Sequence, residues 1–167
     1  YQCFSAFAGN TNLISPEFLV EDGFLTFDEI NEKPDFPNGR VDFGLLYDWK
    51  NSILAKAYEK FRLTTSVDLR GKFETFSQNT AFWLDDYALY RSIKLSQDQK
   101  AWYEWEDSLK LRDENALAQA RENLHEAISA QKFYQFLFFS QWLALKKYAN
   151  DKGIKIIGDV PIFVALD

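Results

Sequence analysis

The sequence predicts an α/β chain that is mostly helical and carries one buried parallel strand near its end. Three observations predict it. Apolar residues recur at spacings of three and four over long stretches, as one face of an α-helix requires. A helix that is apolar almost all round, through Phe133, Phe136, Leu137, Phe138, Phe139, Trp142, Leu143 and Leu145, ends at Gly153. Directly after it, residues 154–158 (Ile-Lys-Ile-Ile-Gly) are short, β-branched and nearly continuously apolar. That composition suits a strand covered on both faces, and helix, glycine turn and strand together form half of a βαβ unit. A lone parallel strand leaves its own backbone groups unpaired. Most of the sheet is therefore expected outside these residues.

The elements follow in order. Residues 4–12 are small, polar and aromatic without a period, and read as a loop. Ser15-Pro16-Glu17 is a helix start: serine accepts from an orphan N–H, proline is tolerated at the first position, and glutamate suits the positive end of the dipole. That helix should stop at Gly23. Two prolines and an Asn-Gly make 33–39 a loop. From Asp42 onward, Phe43, Leu46, Tyr47, Lys50, Ile53, Leu54, Ala57, Tyr58 and Phe61 draw one apolar stripe broken only by Lys50. Further helices are expected over 70–78 and 81–95. Residues 102–110 are ambiguous. A last helix begins near Glu114, highly charged up to Glu126, and runs into the apolar stretch, which should be buried on every side.

Composition narrows the function. The 167 residues carry 19 Lys and Arg against 25 Asp and Glu, a net charge of −6. A nucleic-acid partner needs a cationic footprint, and none appears. No apolar run is long enough to span a bilayer, so no membrane partner is expected. One cysteine, Cys3, cannot pair within the chain, which mildly favours a reducing compartment. The absence of methionine and the stop after the apolar residues 160–164 make the chain read as part of a longer one.

Inventory removes several mechanisms. His125 is the one histidine, on a charged helix where a solvated role is expected, so a catalytic triad lacks support. Cysteine-based zinc spacings and glycine-rich phosphate loops are absent. Asp85 and Asp86 point about a quarter-turn apart on a helix and read as solvated charge. Glu104 and Glu106 read the same way. Asp159 differs, because it follows the C-terminal end of the expected strand, where α/β folds place their ligands. It is either a ligand carboxylate or the cap of the turn before Pro161. The 16 Phe, 8 Tyr and 5 Trp supply rings that could stack on sugars, with Tyr1, Trp83, Trp102 and Trp105 as candidates. Core packing is the alternative for each.

Several strings together resemble one family. Tyr1-Gln2-Cys3-Phe4-Ser5-Ala6-Phe7-Ala8-Gly9-Asn10 resembles the Y-Q-x-x-S-x-F-A-G-N segment of amylomaltases, the 4-α-glucanotransferases or disproportionating enzymes related to the α-amylases; Leu13-Ile14-Ser15-Pro16 continues it. Phe82-Trp83-Leu84-Asp85-Asp86-Tyr87-Ala88-Leu89 is similar to that family's F-W-L-D-D-Y-A-L helix. Residues 132–150 and 153–165 are similar to its next helix and to the strand with its first amylase-type region.

The resemblance implies a piece of a (β/α)8 TIM barrel with a mainly helical insertion. It divides the chain into a barrel-mouth loop and early barrel segment (1–30), a helical insertion (31–129), and a barrel helix with its following strand (130–167). It implies transfer of α-1,4-glucan segments between maltooligosaccharides or starch-derived chains by a retaining double displacement, without metal or organic cofactor. The family's nucleophile and acid/base lie beyond this chain, so no catalytic residue is named and the piece alone should be inactive. Two substrate-binding residues carry over: Tyr1, whose ring would line the donor subsite, and Asp159, which would contact the same sugar. Thr11 stands where the family often has proline. The implied location is the cytoplasm, with the plastid as alternative. Two other readings are a stand-alone helical carbohydrate-binding or interaction module and another amylase-like enzyme.

Overall fold

The computed structural model describes residues 5–63 and 66–158. Tyr1, Cys3, Asp159 and 160–164 lie outside them. Every regular element among the described residues is a helix: α1 Pro16–Glu21, α2 Phe27–Asn31, α3 Phe43–Leu63, α4 Val67–Asn79, α5 Ala81–Ser96, α6 Asp107–Lys110, α7 Glu114–Asn123 and α8 His125–Asp151. Short 3₁₀ turns lie at Thr11–Leu13 and Trp102–Glu104.

Local chemistry sets most ends. Ser15 caps α1, its hydroxyl accepting from the Phe18 N–H at 3.3 Å, with Pro16 first in the helix. The helix α2 was not foreseen, although it has a clear signal: Thr26 and Glu29 form a reciprocal capping box. Gly153, at φ 75°, closes α8, and the Ile154 N–H returns to the Ala149 carbonyl at 2.9 Å. A left-handed residue there favours glycine.

The main core gathers Ile14, Leu19, Phe24, Ile53, Leu54, Phe61, Phe133 and Leu137 from α1, α3, α8 and the segments on either side of α1. Phe133 is its centre, stacked on Phe61 at 4.4 Å between ring centres and meeting Phe24 edge-on at 5.3 Å. A smaller cluster joins Leu89, Ile93, Trp105 and Leu117. The expected single helix from Glu114 to the apolar stretch is two helices, broken at Leu124 (φ −110°, ψ 17°). No glycine or proline marks the break. Leu124 and Ile128 pack together against the smaller cluster, so tertiary packing sets the bend.

Two expectations are corrected. The α/β class, a (β/α)8 barrel piece with a helical insertion, does not describe this chain, because residues 154–158 form no strand. They run without regular structure, and Ile157 is 92% exposed. A strand exists only where a second backbone takes its N–H and C=O groups, and no other extended segment among the described residues supplies one. The second correction concerns α8, which is not buried on every side: Leu143, Leu145 and Tyr148 are exposed.

Candidate functional site

The loop over residues 5–15 is where local geometry and long-range contacts meet. Its start folds on itself, the Ser5 hydroxyl accepting from the Phe7 N–H at 3.1 Å and the Ala8 N–H at 3.4 Å. Asn10 caps the 3₁₀ turn by accepting from the Asn12 N–H at 3.0 Å. Phe7 meets Phe82 edge-on at 5.6 Å and lies nearly parallel to Trp83 at 6.2 Å, which fastens the loop to α5.

Two glutamines of α8 then hold the loop's main chain. The Gln135 side chain accepts from the Gly9 N–H at 2.8 Å and donates to the Gly9 carbonyl at 3.1 Å. Gln141 treats Ser15 alike, accepting from its N–H at 2.7 Å and donating to its carbonyl at 3.2 Å. A side-chain amide carries both a donor NH2 and an acceptor oxygen, so each glutamine satisfies one residue's backbone as a neighbouring strand would. Both pairs are 126 residues apart, so loop and helix advance in step. The spacing corresponds to about 9 Å of rise and about one and two-thirds turns, which leaves the two amides about a third of a turn apart around the axis, so the loop crosses α8 obliquely. At Gly9 the approach is so close that a Cβ would lie 2.0 Å from a ring carbon of Phe138.

Lys50, the break in the α3 stripe, fastens the same loop from the other side. Its ammonium is buried and donates to the Ile14 carbonyl. Burial lowers its pKa to about 8, against a smaller opposing pull from the Glu17 carboxylate. Glu17 itself is held below the usual carboxylate range by a backbone hydrogen bond and by the Ser15 hydroxyl.

Beside the clamped loop opens a cleft of about 520 Å³, walled by Asn10, Tyr47, Asn51, Tyr87, Gln131 and Tyr134 among others. Burial pushes the Tyr134 phenol up to about 12, so it remains a neutral hydroxyl. Rings, amides and hydroxyls of this kind suit a hydroxyl-rich ligand. Among the described residues no three His, Cys, Asp or Glu side chains gather as a metal site, and no helix is long and apolar enough to cross a membrane.

The named candidates fall out as follows. Tyr1 and Asp159 lie outside the described residues. Trp83 and Trp105 are core residues, while Trp102 is partly exposed. Asp85 pairs with Lys132 at 2.5 Å and Asp86 with Arg112 at 3.0 Å, both on the surface. His125 is exposed, its Nδ1 3.1 Å from the Glu122 carbonyl. Glu104 and Glu106 are exposed. Sequence reasoning passed over Gln135 and Gln141. Their signal was present: two amides inside a run of aromatic and aliphatic residues demand buried partners.

Comparison with known proteins decides the family. The profile described as 4-alpha-glucanotransferase (glycoside hydrolase family 77) matches residues 1–167. The chain belongs to the 4-alpha-glucanotransferase family. It is 46% identical over 167 residues to the 4-alpha-glucanotransferase of Thermus thermophilus, covering 100% of this chain and 33% of that protein. It is 39% identical over 158 residues to the chloroplastic/amyloplastic 4-alpha-glucanotransferase of Oryza sativa subsp. japonica, covering 93% of this chain and 26% of that one. Among solved structures, the amylomaltase from Streptococcus agalactiae in complex with acarbose superposes with a TM-score of 0.91 at 38% identity, covering 100% of this chain and 34% of that one. As a 4-alpha-glucanotransferase family member, the chain spans about a third of the length of these relatives.

Proposed function

We propose that the protein carrying this chain is a 4-alpha-glucanotransferase that moves α-1,4-glucan segments between maltooligosaccharides or starch-derived chains. The observation that carries the reading is the family match along the whole of residues 1–167, with relatives as similar as 46% identical. The chemistry would be a retaining double displacement, in which one carboxylate attacks the anomeric carbon and a second shuttles the proton between leaving and incoming oxygens. Neither carboxylate is assigned within this chain. Its part is to bind: Tyr1 would line the donor-sugar site and Asp159 would accept hydrogen bonds from the same sugar. The closely held loop after Tyr1 supports that role, because a stacking ring is useful only where its backbone is fixed. We extend the reading to a division at 30/31 and 129/130 and to a location in the cytoplasm or plastid.

The test is product analysis. The full-length protein given maltotriose should release glucose and build longer maltooligosaccharides. The 167-residue chain alone should do neither. Hydrolysis without chain lengthening, or no turnover by the full-length protein, rejects the reading.

A further inference from the structure

Gln135 is fully buried at the middle of an aromatic helix. A buried amide is costly unless its bonds are made. Apart from a 3.4 Å contact from its Nε2 to the Tyr87 hydroxyl, those bonds go to the backbone of Gly9. Gln141 spends its own on Ser15. An apolar side chain of similar size would fill either space. It would also leave a main-chain N–H and C=O without partners.

We propose that Gln135 and Gln141 are positioning residues for the glucan-transfer reaction: by reading the donor and acceptor of one residue each, they set the register of the 5–15 loop along α8, and through it the place of Tyr1 at the donor sugar. The inference rests on the function proposed above.

Three features make the register discrete. Ile14 and Ser15 are extended, and backbone groups alternate in direction along extended residues, so a slip of one residue at Ser15 would turn N–H and C=O away from the amide. The ring of Phe138 occupies the space of a Cβ at Gly9, so a residue with a side chain takes that place only if the ring is displaced. Lys50 takes the Ile14 carbonyl from α3, which ties the loop's far end to a second helix. Together they hold the loop along its length.

The test uses the full-length protein with Gln135→Glu and Gln135→Leu. Ionised glutamate keeps an acceptor for the Gly9 N–H but sets a negative oxygen against the Gly9 carbonyl. Protonated glutamate restores the donor. Leucine can do neither. Misplacement of a binding group by about 1 Å costs up to about 100-fold in rate. At pH 7 both variants should therefore lose about 10- to 100-fold in kcat/KM for maltotriose, relative to wild type at equal folded fraction. As the pH falls towards about 5, the ratio of the glutamate variant to wild type should rise, and that of the leucine variant should not. Among the described residues, the Tyr87 hydroxyl from α5 is the titratable group hydrogen-bonded to Gln135, and Tyr134 lies beside it on α8. Burial pushes the Tyr134 phenol up to about 12, outside this window.

Should Gln135→Glu fail to fold, Gln141→Glu is the second variant, at a less buried point of the clamp, with the same expected recovery. Variants whose folded fraction matches wild type in kcat/KM overturn the proposal, as does equal pH behaviour of the glutamate and leucine forms. A wild-type protein that does not disproportionate maltotriose overturns the proposed function and this inference with it. The two failures are thus told apart by the wild-type control.

Discussion

From Ala127 to Gln141, α8 is largely wrapped: Phe133 and Leu137 enter the main core, Gln135 and Gln141 hold the N-terminal loop, and α3, α4 and α5 pack around it. From Trp142 to Asp151 the same helix shows Leu143, Leu145 and Tyr148 to solvent, and the tail beyond it shows Ile154, Ile156 and Ile157. The two halves have similar apolar content and share one helical rod. What differs is the presence of a neighbour. Apolar pattern states that a face gains from being covered, while burial requires another element to arrive there.

The largest expected contrast lies along that helix. Phe133→Ala should cost about 3–5 kcal/mol, because it empties the ring stack at the core centre. Leu145→Ala should stay within about 0.5 kcal/mol in the 167-residue chain, where its side chain is 55% exposed. Urea unfolding of the two variants reads both, and equal losses would erase the distinction between the halves. Repeating Leu145→Ala in the full-length protein reports whether another part of that protein covers the face.

A second contrast concerns two glycines. Gly9→Ala drives a methyl into the Phe138 ring and should destabilise by about 1–3 kcal/mol. Gly71→Ala, inside α4 with nothing near its Cβ, should instead stabilise by about 0.5–1 kcal/mol. Thermal melts should move in opposite directions, and a neutral Gly9→Ala would mean that the loop does not lie so close to α8.

Lys50 gives a pH handle on the loop. Its folded pKa, lowered to about 8 by burial, lies under the ordinary lysine value, so between these limits the unfolded chain binds more protons than the folded one. Stability should therefore rise with pH from about 8 towards about 10.4, by on the order of 1–3 kcal/mol at most. In Lys50→Met this component should vanish. Denaturant midpoints for both proteins across that range test it, and parallel curves would refute it. The smallest effect is expected at Asp85. Asp85→Asn breaks an exposed pair with Lys132 and should cost under about 1 kcal/mol. A larger loss in a thermal melt would show that α5 and α8 depend on this bridge more than on packing.

The site was only partly legible in the sequence. Asp159 stood out by its place after the expected strand and Tyr1 as one of several candidate rings, the family resemblance supplied their roles, and both lie outside the described residues. The loop after Tyr1 was recognised as a loop, but what holds it was not. Gln135 and Gln141 went unnoticed in an apolar run, because their partners lie 126 residues away. Lys50 was visible as a break in a stripe, yet only the fold supplied the Ile14 carbonyl that explains it. Trp83 and Trp105 were open between stacking and core, and packing placed both inside.

What the sequence determined by itself is what short range can decide. The cap at Ser15, the stop at Gly153 and the α3 stripe from Lys50 to Phe61, though not its exposed start at Phe43 and Tyr47, depend on residues within a turn or two of each other, and helix hydrogen bonds close over four residues. What tertiary structure alone decided depends on distant chain. The Leu124 bend follows the smaller core. The clamped loop follows two amides of α8. Residues 154–158, whose composition promised a strand, remain without one, because β structure is a property of two backbones and no second one meets them among the described residues.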